Sequence, residues 1–187
     1  MATISDLSKG NYVRMDGKIL QVEEMQHRTP GNLRAFYQLK LRDVKNGRLV
    51  EDRFRPGDTV EILRIETNDY QYLYEEGDTL VVMDPTSFDQ INIEKELLGS
   101  SVVYLKEGIT IRVAFENGTN PITAEAPAHV ILNVTYTEPG LAGDTATRTL
   151  KAATVETGAE IRVPLFVNTG DNVKIKTATG EYVERVK

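Results

Sequence analysis

Side chains that readily move protons are scarce in this chain, and their spacing does little with them. Its 187 residues hold two histidines, His27 and His129, and no cysteine. That composition removes disulfides, thiolate zinc sites and cysteine nucleophiles. Carboxylates are plentiful, but Glu23/Glu24 and Glu75/Glu76 are sequence neighbours, and neighbours on a strand point to opposite faces. Glu94 and Glu96, two apart, do not share a helix face either. Asp144-Thr145-Ala146 and Asn168-Thr169-Gly170 each miss an aspartic-protease triplet by one residue. HExxH, Walker, GxSxG, GxGxxG and EF-hand spacings are all absent. Nothing assembles a nucleophile, a base and an orienting group. The chain reads as a binder rather than an enzyme, with no metal and no cofactor.

The stretch with binding chemistry is HRTPGNLRAF, residues 27–36. Pro30-Gly31 is a turn pair, in which Pro fixes φ at one corner and Gly supplies a positive φ at the other. Residues 18–25 (KILQVEEM) and 36–44 (FYQLKLRDV) flank it, and in the second run Tyr37, Leu39 and Leu41 alternate with Gln38, Lys40 and Arg42. That period of two predicts a half-buried strand with a partly basic outer face. The stretch is therefore expected to be a hairpin tip with Asn32, Leu33 and Arg34 projecting from its end, although the same residues also suit a plain surface turn.

Charge divides the chain. Residues 1–64 carry 12 Lys and Arg against 9 Asp and Glu, residues 65–127 carry 3 against 12, and residues 128–187 carry 7 against 7. A basic first third suits a phosphate-bearing partner, and an acidic middle third would be repelled by one. The opening MATISDLSKG lacks an apolar leader core, and no 18 apolar residues run together, so a cytoplasmic protein with no membrane contact is expected.

Turn signals at short intervals complete the outline. Asp16-Gly17 and Asn46-Gly47 mark two-residue hairpins, and residues 1–64 give about five short strands, suited to a small SH3-like barrel. Residues 65–127 give strands at 70–74, 79–83, 101–105, 110–115 and 121–125. A helix start is expected at 84–89, from the capping-box spacing of Thr86 and Asp89, and a short helix at 93–98 ending at Gly99. Residues 128–187 give strands at 130–137, 151–155, 160–164, 172–176 and 182–185. Both later units suit five-stranded OB-type barrels, so the fold class is all-β in three small domains.

Three stretches in order carry a family resemblance. Residues 151–170 (KAATVETGAEIRVPLFVNTG), 139–146 (PGLAGDTA) and 180–187 (GEYVERVK) resemble bacterial elongation factor P, and the resemblance runs along essentially the whole chain. It implies an SH3-like (KOW-like) barrel followed by two OB-fold barrels in an L-shaped, tRNA-like arrangement. It also implies a monomeric factor that binds both ribosomal subunits between the peptidyl and exit sites, beside peptidyl-tRNA. The implied activity is relief of stalling at consecutive prolines, with no role for DNA. A paralogue with a different client, or a generic RNA-binding adaptor, are the rival readings.

By the same resemblance, Pro30, Gly31, Asn32, Leu33 and Arg34 form the loop that reaches toward the tRNA acceptor end. Many family members have Pro-Gly-Lys-Gly there with a modified Lys, and others a sugar-modified Arg. This chain has Asn32 and Leu33 instead, so the lysine modification does not transfer, and Arg34 is the cation left to meet phosphate. Gly143, Asp144 and Thr145 fall on the loop that approaches the exit-site codon. Tyr182 and Arg185 fall on ribosome and tRNA contact positions, although strand alternation turns either Tyr182 or Val183 inward. Arg28, Lys40 and Arg42 add phosphate contacts.

Overall fold

The computed structural model describes residues 2–31, 34–139 and 150–186. The chain gathers into two compact units, one of residues 1–68 with 113–123 and one of residues 69–112 with 124–187. Its strands form three sheets, and the fold is all-β in three small barrel domains.

The first sheet is built from β1 (Ala2–Thr3), β2 (Tyr12–Met15), β3 (Lys18–Arg28), β4 (Phe36–Asp43), β5 (Leu49–Phe54) and β6 (Thr59–Leu63), in the order β1-β6-β2-β3-β4-β5. Asp16 and Gly17 have φ of 49° and 75°, the two positive values that a type I′ hairpin turn needs. The second expected two-residue turn is longer. Asp43 is buried, and its carboxylate accepts from the backbone N–H of Lys45 (2.9 Å) and from Asn46 Nδ2 (2.9 Å). This side chain organises a five-residue connection in place of the Asn-Gly pair alone. Inside lie Ile4, Val13, Val22, Leu39 and Leu41, none more than 1% exposed. Leu39 and Leu41 face inward while Arg42 faces out, the alternation expected for this strand.

The second sheet contains β7 (Ile65–Glu76), β8 (Thr79–Met83), β9 (Gln90–Glu94), β10 (Thr110–Glu116) and β11 (Asn120–Glu125), ordered β11-β10-β7-β8-β9. In this part of the chain the sequence misleads three times, twice over helices and once over a strand. Residues 84–89 do not start a helix: Asp84 Oδ1 accepts from the N–H of Thr86 (2.7 Å) and Ser87 (3.0 Å), closing a turn between β8 and β9. Residues 93–98 are not one helix, because Ile93 pairs with Leu80 on β8 and only Lys95–Leu97 form a 3-10 turn. The alternation of Ile91 and Ile93 signals that strand inside a charged run.

The expected strand at 101–105 is instead part of a 3-10 segment, Gly99–Tyr104. Its Val-Val-Tyr run favours a strand intrinsically, but tertiary contacts decide. Tyr104 packs against the C-terminal core, and Thr157 Oγ1 donates to the Val103 carbonyl at 2.7 Å.

The third sheet consists of β12 (His129–Thr137), β13 (Leu150–Val155), β14 (Glu160–Pro164), β15 (Asn172–Lys176) and β16 (Tyr182–Val186), ordered β14-β13-β12-β15-β16. Its core of Leu132, Val134, Val163, Val167, Val173 and Ile175 is wholly buried. The end strands β14 and β16 carry exposed charges, Glu160 and Arg162 on one and Glu184 and Arg185 on the other.

Gly180, φ 70°, meets Tyr104 so closely that a Cβ there would lie 2.1 Å from the phenol oxygen. A methyl group must displace the ring as well as strain the backbone. Gly180→Ala is expected to destabilise the protein by about 1–3 kcal/mol, and an unchanged urea midpoint would show the contact to be loose.

Candidate functional site

The tip hairpin is a continuous two-stranded ladder. β3 and β4 pair from Leu20↔Asp43 outward to His27↔Tyr37 and Arg28↔Phe36, with one irregularity between Val22 and Glu24. Such a bulge increases local twist. Beyond the last pair, Thr29, Pro30, Gly31, Arg34 and Ala35 are described; Asn32 and Leu33 lie outside the described residues. Pro30, Gly31 and Arg34 are exposed, and Gly31 has a φ of 25°. Arg34 makes no hydrogen bond or ion pair among the described residues.

Two ring contacts brace the base of this loop. On the inward-facing side, His27 and Tyr37 stack with centroids 4.7 Å apart and planes at 28°. On the opposite face the Arg53 guanidinium sits 5.3 Å from the centre of the Phe36 ring. Each contact contributes roughly 0.5–1.5 kcal/mol, and together they clamp both strands where the ladder ends. The sequence reading missed His27, Phe36 and Arg53. Only the register reveals them: it sets His27 opposite Tyr37 and Arg53 opposite Gln38, on the same face as Phe36.

The three basic residues behind the tip separate into two groups. Arg28 donates to Gln26 Oε1 at 2.7 and 3.2 Å, a neutral partner that leaves its charge uncompensated. Arg28 and Lys40 line a shallow cleft of about 150 Å³ with Gln26, Gln38, Glu24 and Glu51. Arg42 is committed internally: its Nε donates to Glu23 at 2.6 Å and its Nη1 to the Gly47 carbonyl at 3.2 Å. That hydrogen bond is the main reason the Glu23 carboxyl is held below the usual range. Arg28 and Lys40 thus stand together facing outward, and Arg42 does not stand free with them.

In the C-terminal domain, Gly143, Asp144 and Thr145 lie outside the described residues, which resume at Leu150. The base of their loop is fixed. Lys151 Nζ donates to the Glu138 carbonyl at 2.6 Å, and Thr137 Oγ1 to the Ala152 carbonyl at 2.8 Å.

Tyr182 is the inward member of its pair, packed on the C-terminal core, while Val183 is 40% exposed. Its ring borders a surface cavity of about 430 Å³ that Tyr104, Leu150 and Arg162 also line. Burial pushes its phenol upward. Arg185 lies over the Phe166 ring, 5.5 Å from its centre, with Nη1 3.4 Å from Asp171 Oδ2. Phe166, 56% exposed, is a residue that the sequence reading did not single out.

Comparison with known proteins follows the same three parts. Residues 3–60 match the family model described as the elongation factor P (EF-P) KOW-like domain. Residues 65–123 match that of the elongation factor P (EF-P) OB domain, and residues 130–185 that of elongation factor P, C-terminal. The elongation factor P of Chloroherpeton thalassium is 46% identical over 187 residues, covering 100% of both chains. That of Flavobacterium psychrophilum is 45% identical over 188 residues, again 100% of both. Among solved structures, a translation initiation factor eif-5a family protein from Naegleria fowleri aligns with a TM-score of 0.51 at 17% identity. The alignment covers 66% of this chain and 95% of that one, a likeness of fold alone.

Asp171 gives the site a measurable electrostatic signature. Its carboxyl is held below the usual range first by the backbone N–H of Asn168, and further by Arg185, against the cost of burial. A depressed folded-state pKa stabilises fully above the unfolded value, near 4, and that contribution is lost as pH falls through the folded value. Carboxyl ¹³C NMR titration of Arg185→Ala is expected to move the Asp171 midpoint upward while leaving it below the unfolded value. An unmoved midpoint would mean that the Arg185 contact carries no charge coupling.

Proposed function

The chain belongs to the elongation factor P family and is a translation elongation factor; from that premise we propose that it binds the ribosome between the peptidyl and exit sites, touching both subunits and peptidyl-tRNA. There it promotes peptide-bond formation at consecutive prolines. Its working form is a monomer in the cytoplasm, with no membrane or DNA partner, and its domains divide at 64/65 and 127/128. The factor brings no catalytic group to the reaction. Proline is a rigid participant in peptide-bond formation, so the obstacle is one of geometry. Ordering the tRNA end and the nascent chain lowers the entropic part of the barrier while the ribosome remains the catalyst.

The observation that carries this reading is Arg34, an exposed guanidinium with no partner among the described residues, just beyond a ladder clamped on both faces. A long cation held near a phosphate needs little further ordering when its base is already fixed. Pro30, Gly31, Asn32 and Leu33 form the rest of the contacting loop, with Leu33 packing on RNA. Arg28 and Lys40 supply phosphate contacts along the hairpin, and Arg42 serves the same surface through Glu23. Gly143, Asp144 and Thr145 approach the exit-site codon, and Tyr182 and Arg185 contact RNA beside it.

Arg34 acts unmodified in this reading. Intact and peptide mass spectrometry of protein from its native host is expected to give the unmodified mass across residues 28–42, and Arg34→Ala is expected to abolish rescue of a diproline reporter. Retained rescue would overturn the assignment. Because Asn32 and Leu33 stand where the family's modified tip lies, a paralogue with another client is the second reading. Rescue that fails with the wild-type chain, while ribosome binding persists, would favour it.

A further inference from the structure

Away from the hairpin tip, the first compact unit holds a second concavity, of about 340 Å³. It lies where the β2–β3 turn, the β4–β5 connection and the β10–β11 hairpin converge, and all its lining residues belong to that unit. Ile19, Val44 and Ile122 line it as three half-buried aliphatic side chains. Branched apolar side chains gathered in a concavity rather than packed into a core leave apolar surface for a ligand to cover.

The charges around it are unevenly committed. Arg14 is paired twice, its Nη2 donating to Glu116 and its Nε 3.3 Å from Glu61 Oε2. The Asp43 carboxylate, 5% exposed, is occupied by the N–H of Lys45 and by the Asn46 amide. Lys18 and Lys45 are exposed, and their ammonium groups have no partner among the described residues. The Asn120 side chain is likewise unengaged among them. Those two lysines, the Asn120 amide and the three aliphatics are the groups left for a ligand.

We propose that this concavity receives a single unstacked nucleotide of an RNA, its base against Ile19, Val44 and Ile122 and its flanking phosphates on Lys18 and Lys45. Apolar surface takes a base face, and an amide takes a base edge whatever the stacking partner. Ammonium groups meet phosphate as point charges and fix register without reading sequence. An acidic peptide would meet the same two cations but would leave the apolar floor uncovered. The inference rests on the ribosomal reading above, since it supplies the RNA, but it concerns a different surface from the tip.

The test is a photo-crosslinking amino acid placed at Lys45 in the full chain, mixed with ribosomes carrying peptidyl-tRNA, beside a control that places it at Thr29, exposed at the base of the tip loop with Arg34 left intact. Adducts to RNA from position 45 are expected. Adducts to ribosomal protein only, or none while position 29 captures RNA, would overturn this site and leave the ribosomal reading intact. Failure at both positions would remove both. In a salt titration of ribosome affinity, Lys18→Ala with Lys45→Ala should lower the slope of log affinity on log salt by about one for each lysine on a phosphate. An unchanged slope counts against the site. Both substitutions are at exposed positions, and an unchanged melting curve confirms that the fold is kept.

Discussion

A hairpin that continues past its own core must be kept straight by its cross-strand pairs. On β3 the last fully buried residue is Val22, and on β4 burial ends at Leu39. From Val22 to Arg28 the ladder runs on for about 20 Å at the usual strand rise. Over that length core support thins: Leu39, opposite Met25, is the last fully buried side chain, and Met25, Tyr37 and Phe54 are only partly buried against the core, while a two-stranded ribbon on its own is marginal in water. The stack of His27 on Tyr37, which also packs on the edge of the core, and the placement of Arg53 over Phe36 brace the ribbon where that support ends, one on each face. β5 matters here because it makes the ribbon three-stranded as far as Tyr37↔Phe54. The proposed reach of Arg34 toward RNA rests on this stiffness, since a loop on a limp stalk would lose on ordering what it gained in contact.

Most of the fold was legible wherever one face of a strand is buried. Leu39 and Leu41 inside with Arg42 outside, or Val130, Leu132 and Val134 inside along β12, are patterns that a one-residue slip would ruin, so sequence and structure agree. The failures have a common cause. Thr86 and Asp89 have capping-box spacing, but Asp84 captures the backbone first. Val102, Val103 and Tyr104 have strand propensity, but Tyr104 is drawn to the C-terminal core and the backbone coils to deliver it. Both outcomes depend on partners that periodicity does not encode.

The site was legible in part. The tip hairpin and its exposed Arg34 follow from Pro30-Gly31 between two alternating runs. A count of basic residues could not separate Arg42, bonded to Glu23, from Lys40, which has Glu24 and Glu51 opposite it on the two flanking strands but no ion pair among the described residues. Nor could it find the braces, because His27, Phe36 and Arg53 look unremarkable until register places two on facing strands. For Tyr182 the sequence narrowed the choice to one of two neighbours, and packing against the C-terminal core decides it.

The charged end strands of the third sheet have a consequence for self-association. The two end strands approach each other as the barrel curls, and wherever they are left unpaired an edge is a template for another copy, in which full antiparallel overlap sets the central residue of a strand against itself. On β14 that residue is Arg162 and on β16 it is Glu184, both exposed, so either pairing opens with two like charges face to face. Pro164, at the end of β14, has no N–H to offer a second strand. What the curl of the barrel leaves open on these two strands is thus guarded by one arginine, one glutamate and one proline, and neutralising Arg162 or Glu184 would weaken that protection without touching the core.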